Sequence, residues 1–488
     1  MKLADASLTS LQESVARPTY DRSALRPGIV HIGLGNFHRA HQSWYLHRLM
    51  QQGLALDWAI LGAGVRPFDA SQRERLLGQD CLTTLIELDP KGQSAEVVGS
   101  MIDYIDIADG NGPLITAMSR PEIRIVSLTV TEGGYYIDPV TKALDVQHPD
   151  IVYDAAHLDA PKTAFGSIVS ALKNRRDAGI GPFTGQSCDN LQGNGEILRQ
   201  AVVGLARLTD PELAIWIDEY ATFPNSMVDC IVPATGAREL AIVRNLGIED
   251  AAPVTHENFR QWVIEDKFCA GRPDWHRAGA TFTDDVHDFE VMKIRILNGG
   301  HQIIANAGEI LGVETIHGCM KHPQIGAFFM RVASREIAPH VRPVAGMTPR
   351  AYIKLIQTRF SNPMIADTTR RVAFDGSSRH PGFLLPTLSD ALAAGTPIEG
   401  LALAEALWAR MCQGTREDGT QIEANDPIWD QLQPTAVASR ENPTIWLEQR
   451  KIYGNIADNP KFVAAFGAAL DQVWRLGVVG AISDYLED

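Results

Sequence analysis

The densest run of groups able to move a proton is Glu290-Val291-Met292-Lys293-Ile294-Arg295-Ile296-Leu297-Asn298-Gly299-Gly300-His301. On a helical wheel turning about 100° per residue with Lys293 at zero, Glu290 falls near ~60°, His301 near ~80° and Asn298 near ~140°. An amine, a carboxylate, an imidazole and an amide then share one broad arc with Ile294 and Leu297. Such an arc is expected to be buried, and buried polar groups need partners that a substrate would supply. Gly299 and Gly300 each cost a helix interior roughly 1 kcal/mol relative to alanine. Their presence predicts that something packs close to the backbone there. A core helix with a snorkelling lysine and a capped asparagine satisfies the same spacing, so spacing alone does not choose.

A second chemistry is signalled near the other end. Gly33-Leu34-Gly35-Asn36-Phe37-His38 follows a strand-like run and opens a helix. A glycine turn lets the backbone approach a pyrophosphate, which then meets free N–H groups at a helix N-terminus. His38 stands where a third glycine is usual. After the second strand comes Gly64-Val65-Arg66-Pro67-Phe68-Asp69. A carboxylate at Asp69 would bind ribose hydroxyls and favour NAD, whereas Arg66 could hold a 2′-phosphate; the balance leans to NAD. His38, His41 and His47 have no cysteine or carboxylate to complete a ligand set, and no metal is expected.

The elements that must position these groups read as a two-part chain. Gly28–Gly33, Asp57–Gly62 and Ile123–Val130 are strand-like, with a helix expected from about Phe37 to Met50 between the first two. Gly181-Pro182-Phe183-Thr184 into Ser187-Cys188-Asp189 continues the alternation less clearly. This is the pattern of an α/β, Rossmann-type doubly wound domain, assigned to residues 1–285. From about Glu290 onward Ala- and Leu-rich helical stretches dominate, such as Ile398–Met411 and Asn459–Gly477, and a mainly α-helical domain is assigned to residues 286–488.

The 488 residues are 45% hydrophobic and 21% charged, which suits a globular protein with a full core. The formal net charge is −15, with no basic patch, which argues against nucleic acid or an anionic membrane as partner. No stretch approaches the ~20 apolar residues of a bilayer span, and no secretion signal is expected. Six scattered cysteines without a CxxC pair read as reduced thiols in a cytoplasmic protein.

Several separated blocks together resemble the polyol-specific long-chain dehydrogenase/reductase family. They are Gly33 through Gln42, Thr131-Glu132-Gly133-Gly134-Tyr135, Ser187-Cys188-Asp189-Asn190-Leu191, Phe223 through Asp229, Lys293 through Asn298 to His301, and the tail around Phe462–Phe466. The resemblance implies a metal-independent, NAD-linked interconversion of a sugar alcohol and a ketose by a monomer. It also implies roles. Lys293 is the general base, Asn190 and Asn298 form the oxyanion site, His301 positions the reacting oxygen and Glu290 lies on the proton's exit route. Gly33, Leu34, Gly35, Asn36, Phe37, His38, Arg66, Asp69, Thr131 and Glu132 fall to the cofactor, with Asp69 selecting NAD. Asp229, Arg371 and Arg379 join Asn190, Lys293, Asn298 and His301 around the substrate.

That set is chemically coherent. Oxidising a secondary alcohol requires a base for the hydroxyl proton while hydride leaves for the nicotinamide, and lysine serves only where burial or positive charge favours its neutral form. Amide donors aimed at the developing alkoxide stabilise the transition state, each worth about 3 kcal/mol. Two positions depart from the family. Cys230 replaces an arginine after Asp229, and Phe68 stands where a second acid can precede Asp69. The alternative activity is a hexuronate reductase, acting on fructuronate or tagaturonate, which must bind a carboxylate. Arg371 and Arg379 are candidates for that fork, although Arg371 also matches an arginine that contacts hydroxyls in polyol enzymes. A non-catalytic NAD-binding sensor is a third reading, with Lys293 purely structural.

Overall fold

A computed structural model describes residues 1–138 and 143–487. The chain divides into two compact units, Met1–His287 and Asp288–Asp488.

The first unit is built on a five-stranded sheet of β1 (Pro27–Ile32), β2 (Ala59–Ala63), β3 (Met101–Tyr104), β4 (Ile125–Leu128) and β5 (Thr184–Ser187). The strands run parallel in the order β3-β2-β1-β4-β5. Both faces are covered, as a parallel sheet requires. Val30, Ile32, Leu61, Ala63, Val126 and Leu128 pack on one side with α3 (Ala164–Asp177) and α4 (Asn194–Thr209). Ile29, Ile60 and Ile125 point to the other, where Tyr45, Leu46, Leu49, Trp262 and Trp275 gather. The chain reverses direction across the sheet between β1 and β4, and ligands of such sheets bind at this switch point, beyond the carboxyl ends of the strands.

The four expected strand regions are present: β1 begins one residue early, β2 is shifted towards Ala63, and β4 and β5 are shorter than expected. The helix expected over Phe37–Met50 is two helices, α1 (Asn36–Ala40) and α2 (Gln42–Met50), separated by a non-helical His41 (φ −120°, ψ −96°). Sequence reading had no signal for β3, or for the mixed sheet of Val15–Ala16, Gly92–Val98, Thr83–Asp89 and Val254–Glu257. Ser226–Asp229, Gln261–Glu265 and Thr281–Thr283 form a third sheet.

The second unit is helical. Its segments begin with α5 (His287–Met292) and a π-helical stretch, Lys293–Asn298, that runs into α6 (Gly299–Leu311). They continue with α7 (Pro349–Phe360), α8 (Thr369–Ala373), α9 (Gly376–Phe383), α10 (Glu399–Cys412) and α11 (Pro460–Glu487). Helix α10 is the axis of the unit, buried from Gly400 to Cys412 and packed against α6 and α11. By length and composition α11 is apolar enough to cross a bilayer, contrary to the expectation that no stretch would be. Scattered polar residues hid it from a search for unbroken apolar runs. The helix packs along α10 and carries a break at Gly477 (φ +73°, ψ 175°).

Candidate active site

At the carboxyl end of β1, Gly33 adopts φ +95°, and a Cβ there would collide with the carbonyl of Thr129. Only glycine fits this turn. Gly35 is different. It stands at the N-terminus of α1 in extended conformation, and a Cβ would meet nothing within 4 Å. Space over free N–H groups at a helix start is what a pyrophosphate needs. Leu34 is buried over Gly62, and Asn36 is tied by its Nδ2 to the Pro233 carbonyl (3.1 Å) and Thr235 Oγ1 (2.9 Å). Phe37 stacks on His41. The His38 imidazole is buried against His31 (ring centroids 3.4 Å apart), so whatever this residue offers a ligand comes from its backbone.

At the end of β2, Asp69 Oδ2 accepts from the backbone N–H groups of Val65 (3.1 Å) and Arg66 (3.0 Å), and Gly64 is required because a Cβ there would strike the Asp69 side chain. The carboxylate is thus fixed at the strand end, while Oδ1 makes no hydrogen bond among the described residues. Arg66, the competing phosphate ligand, donates to Tyr136 Oη at 2.7 Å and lies 3.7 Å from Asp150. Val65, Arg66, Pro67, Ala70, Ile107 and Ala108 line part of a cleft of about 470 Å³ beside Asp69. Across the switch point Thr131 holds φ +67°, an outlier for a β-branched residue. Its N–H and that of Val130 donate to the carboxylate of Asp189 (2.9 and 3.1 Å), which also accepts from Tyr135 Oη (2.8 Å). Asp189 therefore holds the Thr131 loop, a positioning role that sequence reading did not assign. The Glu132 side chain lies outside the described residues. Asn190 is exposed just beyond β5, and Asp229 is buried at the end of its strand.

In the second unit Glu290 and Lys293 are both buried, one helical turn apart. The regular wheel put Asn298 at the far edge of the arc from Lys293, and the π turn narrows that separation. A π-helix closes its hydrogen bonds from residue i to i+5 and holds more residues per turn than an α-helix, so residues five apart lie nearer one face than on a regular wheel. Lys293 and Asn298 are the first and last residues of that turn, which narrows the angle between them. His301 follows one α-turn later. The expected close packing at the two glycines is present, since a Cβ on Gly299 would press on Leu384 and the Phe383 carbonyl, both at 3.2 Å. One on Gly300 would press on Phe329 at 2.5 Å.

Asn298 Oδ1 and His301 Nε2 are both out of solvent and lack a hydrogen-bond partner among the described residues. Unsatisfied buried polar atoms are costly and cluster where a ligand completes them. The His301 ring stacks on Phe360 at 4.1 Å. Burial holds its imidazole well below the ordinary range, and Arg371, Arg359, Arg379 and Lys293 add to the effect. His301 is thus a neutral imidazole beside three guanidinium groups and the Lys293 amine. Arg359, buried beside Phe360 on α7, carries no motif by which sequence reading could have found it. Arg371 forks onto the buried Asp367, Nε to Oδ1 and Nη2 to Oδ2, each 2.6 Å. Arg379 donates to the Val372 carbonyl at 2.7 Å. Among the described residues no three His, Cys, Asp or Glu side chains gather as a metal site.

Comparison with known proteins gives a consistent result. Residues 27–277 match the family model of the mannitol dehydrogenase Rossmann domain, and residues 285–474 match that of the mannitol dehydrogenase C-terminal domain. The chain is 54% identical to a mannitol 2-dehydrogenase of Cereibacter sphaeroides, over 98% of this chain and 100% of that one. A crystal structure of Pseudomonas fluorescens mannitol 2-dehydrogenase, a ternary complex with NAD and D-mannitol, superposes with a TM-score of 0.93 at 40% identity over the whole of both chains. A substrate-free D-sorbitol dehydrogenase gives 0.87 at 33% identity, covering 99% of this chain and 100% of that one.

Proposed function

Because the chain belongs to the mannitol dehydrogenase family, we propose that it catalyses the NAD-dependent interconversion of D-mannitol, or a closely related polyol, and its ketose, with Lys293 as general base and without a metal ion. The observation that carries this reading is the π turn. It brings Lys293 and Asn298 nearer one face than a regular helix would, with a buried His301 Nε2, unpartnered among the described residues, a turn away.

The first unit's donor set fits a dinucleotide. Gly35 leaves open space at a helix N-terminus, and Asp69 holds a carboxylate oxygen towards where ribose hydroxyls would lie. NAD supplies the hydride acceptor when bound. Arg66 is engaged by Tyr136 and Asp150, which supports NAD over its 2′-phosphorylated form.

A lysine takes a hydroxyl proton near neutral pH only when its neutral form is favoured. Lys293 is buried in the same unit as Arg359, Arg371 and Arg379, which act on His301, and the base role requires that burial and positive charge favour its neutral amine. In this reading Asn298 and Asn190 direct amide N–H groups at the developing alkoxide. His301 Nε2 engages the same oxygen, and Glu290, a turn before Lys293, receives the proton on its way out. Arg379 and Asp229 serve the remaining hydroxyls. The hexuronate alternative has less support, because the planar fork of Arg371 is already filled by Asp367. The reading also carries a monomer in the cytoplasm, in keeping with six free cysteines.

The test follows NADH formation with D-mannitol, arabinitol, sorbitol and mannonate, with and without chelator, for the native chain and Lys293→Ala. The expected outcome is chelator-resistant oxidation of a neutral polyol, reduced about 100-fold or more in the variant, with NADH binding unchanged. A variant within about tenfold of the native rate removes Lys293 from the base role, and turnover of mannonate alone moves the protein to the hexuronate reaction.

A further inference from the structure

Helix α6 carries more buried polar groups than the proposed chemistry uses. Asn298, Gln302 and Asn306 follow one another at the spacing of a helical turn, so they form a column down one face. Gln302 and Asn306 are fully buried. Gln302 Nε2 donates to the Val372 carbonyl at 3.0 Å, the same oxygen that accepts Arg379 Nη1 at 2.7 Å. Asn306 Nδ2 donates to the Gln302 carbonyl (3.1 Å) and lies 3.2 Å from His380 Nε2.

His380 is the residue after Arg379 on α9, and both its nitrogens are held. Nδ1 lies 2.8 Å from Glu405 Oε1 at the centre of α10, and the ring stacks on Trp408 at 4.2 Å. Glu405 Oε2 accepts from Tyr453 Oη (2.9 Å), whose oxygen accepts from Trp446 Nε1 (2.7 Å). The donors and acceptors are consistent in one direction, with Nδ1–H given to the carboxylate and Nε2 accepting from Asn306. His380, Glu405, Asn306, Tyr453 and Trp446 are all buried.

A buried carboxylate costs several kcal/mol unless donors compensate it, and apolar side chains would fill this core at less expense. What the column supplies is a fixed position for α9. That helix has eight residues, follows Asp375 in the left-handed conformation (φ +59°) and contains Pro381, which removes an internal hydrogen bond. Ser377 ties its start to Asp426. Past that point His380 is the polar anchor, one residue from the guanidinium that reaches Val372 and helps depress His301.

We propose that the buried Glu405–His380–Asn306 column is a positioning device for the polyol site. It fixes Arg379, and through the shared Val372 carbonyl it keeps Arg379 in register with the helix that bears Asn298 and His301. The inference rests on Arg379 serving the substrate, as proposed above.

The experiment is a double-mutant cycle on the full-length enzyme with D-mannitol as varied substrate: Glu405→Gln, Arg379→Ala and the pair, each with KM, kcat and NADH dissociation constant. Glu405→Gln keeps the shape and removes the charge. The expected result is a five- to tenfold higher KM for mannitol in Glu405→Gln, an unchanged NADH constant, and a double variant no worse than Arg379→Ala alone. Should Glu405→Gln fail to fold, Tyr453→Phe removes one donor and is expected to raise KM in the same sense by a smaller factor. Additive effects in the pair, or a folded Glu405→Gln (failing that, a folded Tyr453→Phe) with native KM, overturn the inference while leaving the Arg379 reading intact. A native KM in Arg379→Ala instead overturns that reading, and the inference with it.

Discussion

In the first unit His38 lies on His31 with neither of its own ring nitrogens hydrogen-bonded, whereas in the second His380 is held at both nitrogens and faces a carboxylate. The first arrangement tolerates only neutral rings. Burial pulls His31 down to about 3, His41 to about 4 and His256 to about 3, and His38 lies well below its ordinary value for the same reason, with His31, Arg39 and His41 adding to it. In the second unit burial likewise depresses His301, at the proposed site, and the partly exposed His340. The cofactor end is thus built on uncharged aromatic packing beneath its glycine turn. The core of the second unit around Glu405 is built on compensated charge.

Acid should separate the two most strongly. Below about pH 6.5 the unfolded chain binds protons that the folded first unit refuses, so stability falls as pH falls towards the folded values. The slope approaches about 1.4 kcal/mol per pH unit for each such histidine. Hydrogen exchange between pH 7.5 and 5 is expected to show α1, α2 and β1 losing protection before α6 and α10. Simultaneous loss, or earlier loss in the second unit, would break the comparison.

The glycines sharpen it at smaller scale. Gly33→Ala forces a side chain into a left-handed turn against the Thr129 carbonyl, and Gly300→Ala presses on Phe329. Each is expected to lower stability by about 1–3 kcal/mol in thermal or denaturant unfolding. Gly35→Ala enters open space, so stability should be native while NADH binding weakens by about tenfold if, as proposed, that space takes the pyrophosphate. Native NADH affinity in that variant would show that the opening above α1 is not where the cofactor's phosphates lie.

These contrasts show what a linear reading reaches. Alternation of strand and helix signals, and the glycine turn after β1, sufficed for the α/β half because each depends on local residue types. The helical character after Glu290 was equally legible. The π turn was not, because a wheel of fixed pitch assigns every residue the same increment, and nothing in Lys-Ile-Arg-Ile-Leu-Asn marks an added residue per turn. The break at His41 was hidden in the same way. Arg359 and the column through Glu405 were missed for a different reason. Their partners lie on separate helices, and the meaning of a lone Arg, His or Glu comes from tertiary neighbours.

The smallest effect tests the most exposed assignment. Asp69 is fixed by two backbone N–H groups, so its carboxylate cannot swing away from a 2′-phosphate, and the repulsion is built into the loop. Asp69→Ala removes that repulsion and one set of ribose hydrogen bonds together. NAD should lose and its phosphorylated form gain, shifting the ratio of kcat/KM by roughly tenfold, or about 1.4 kcal/mol. The gain is limited because Arg66 remains held by Tyr136 and Asp150. Tyr136→Phe in the Asp69→Ala background frees one of those ties and is expected to move the ratio further in the same direction. An unchanged ratio in both variants would remove Asp69 and Arg66 from cofactor selection.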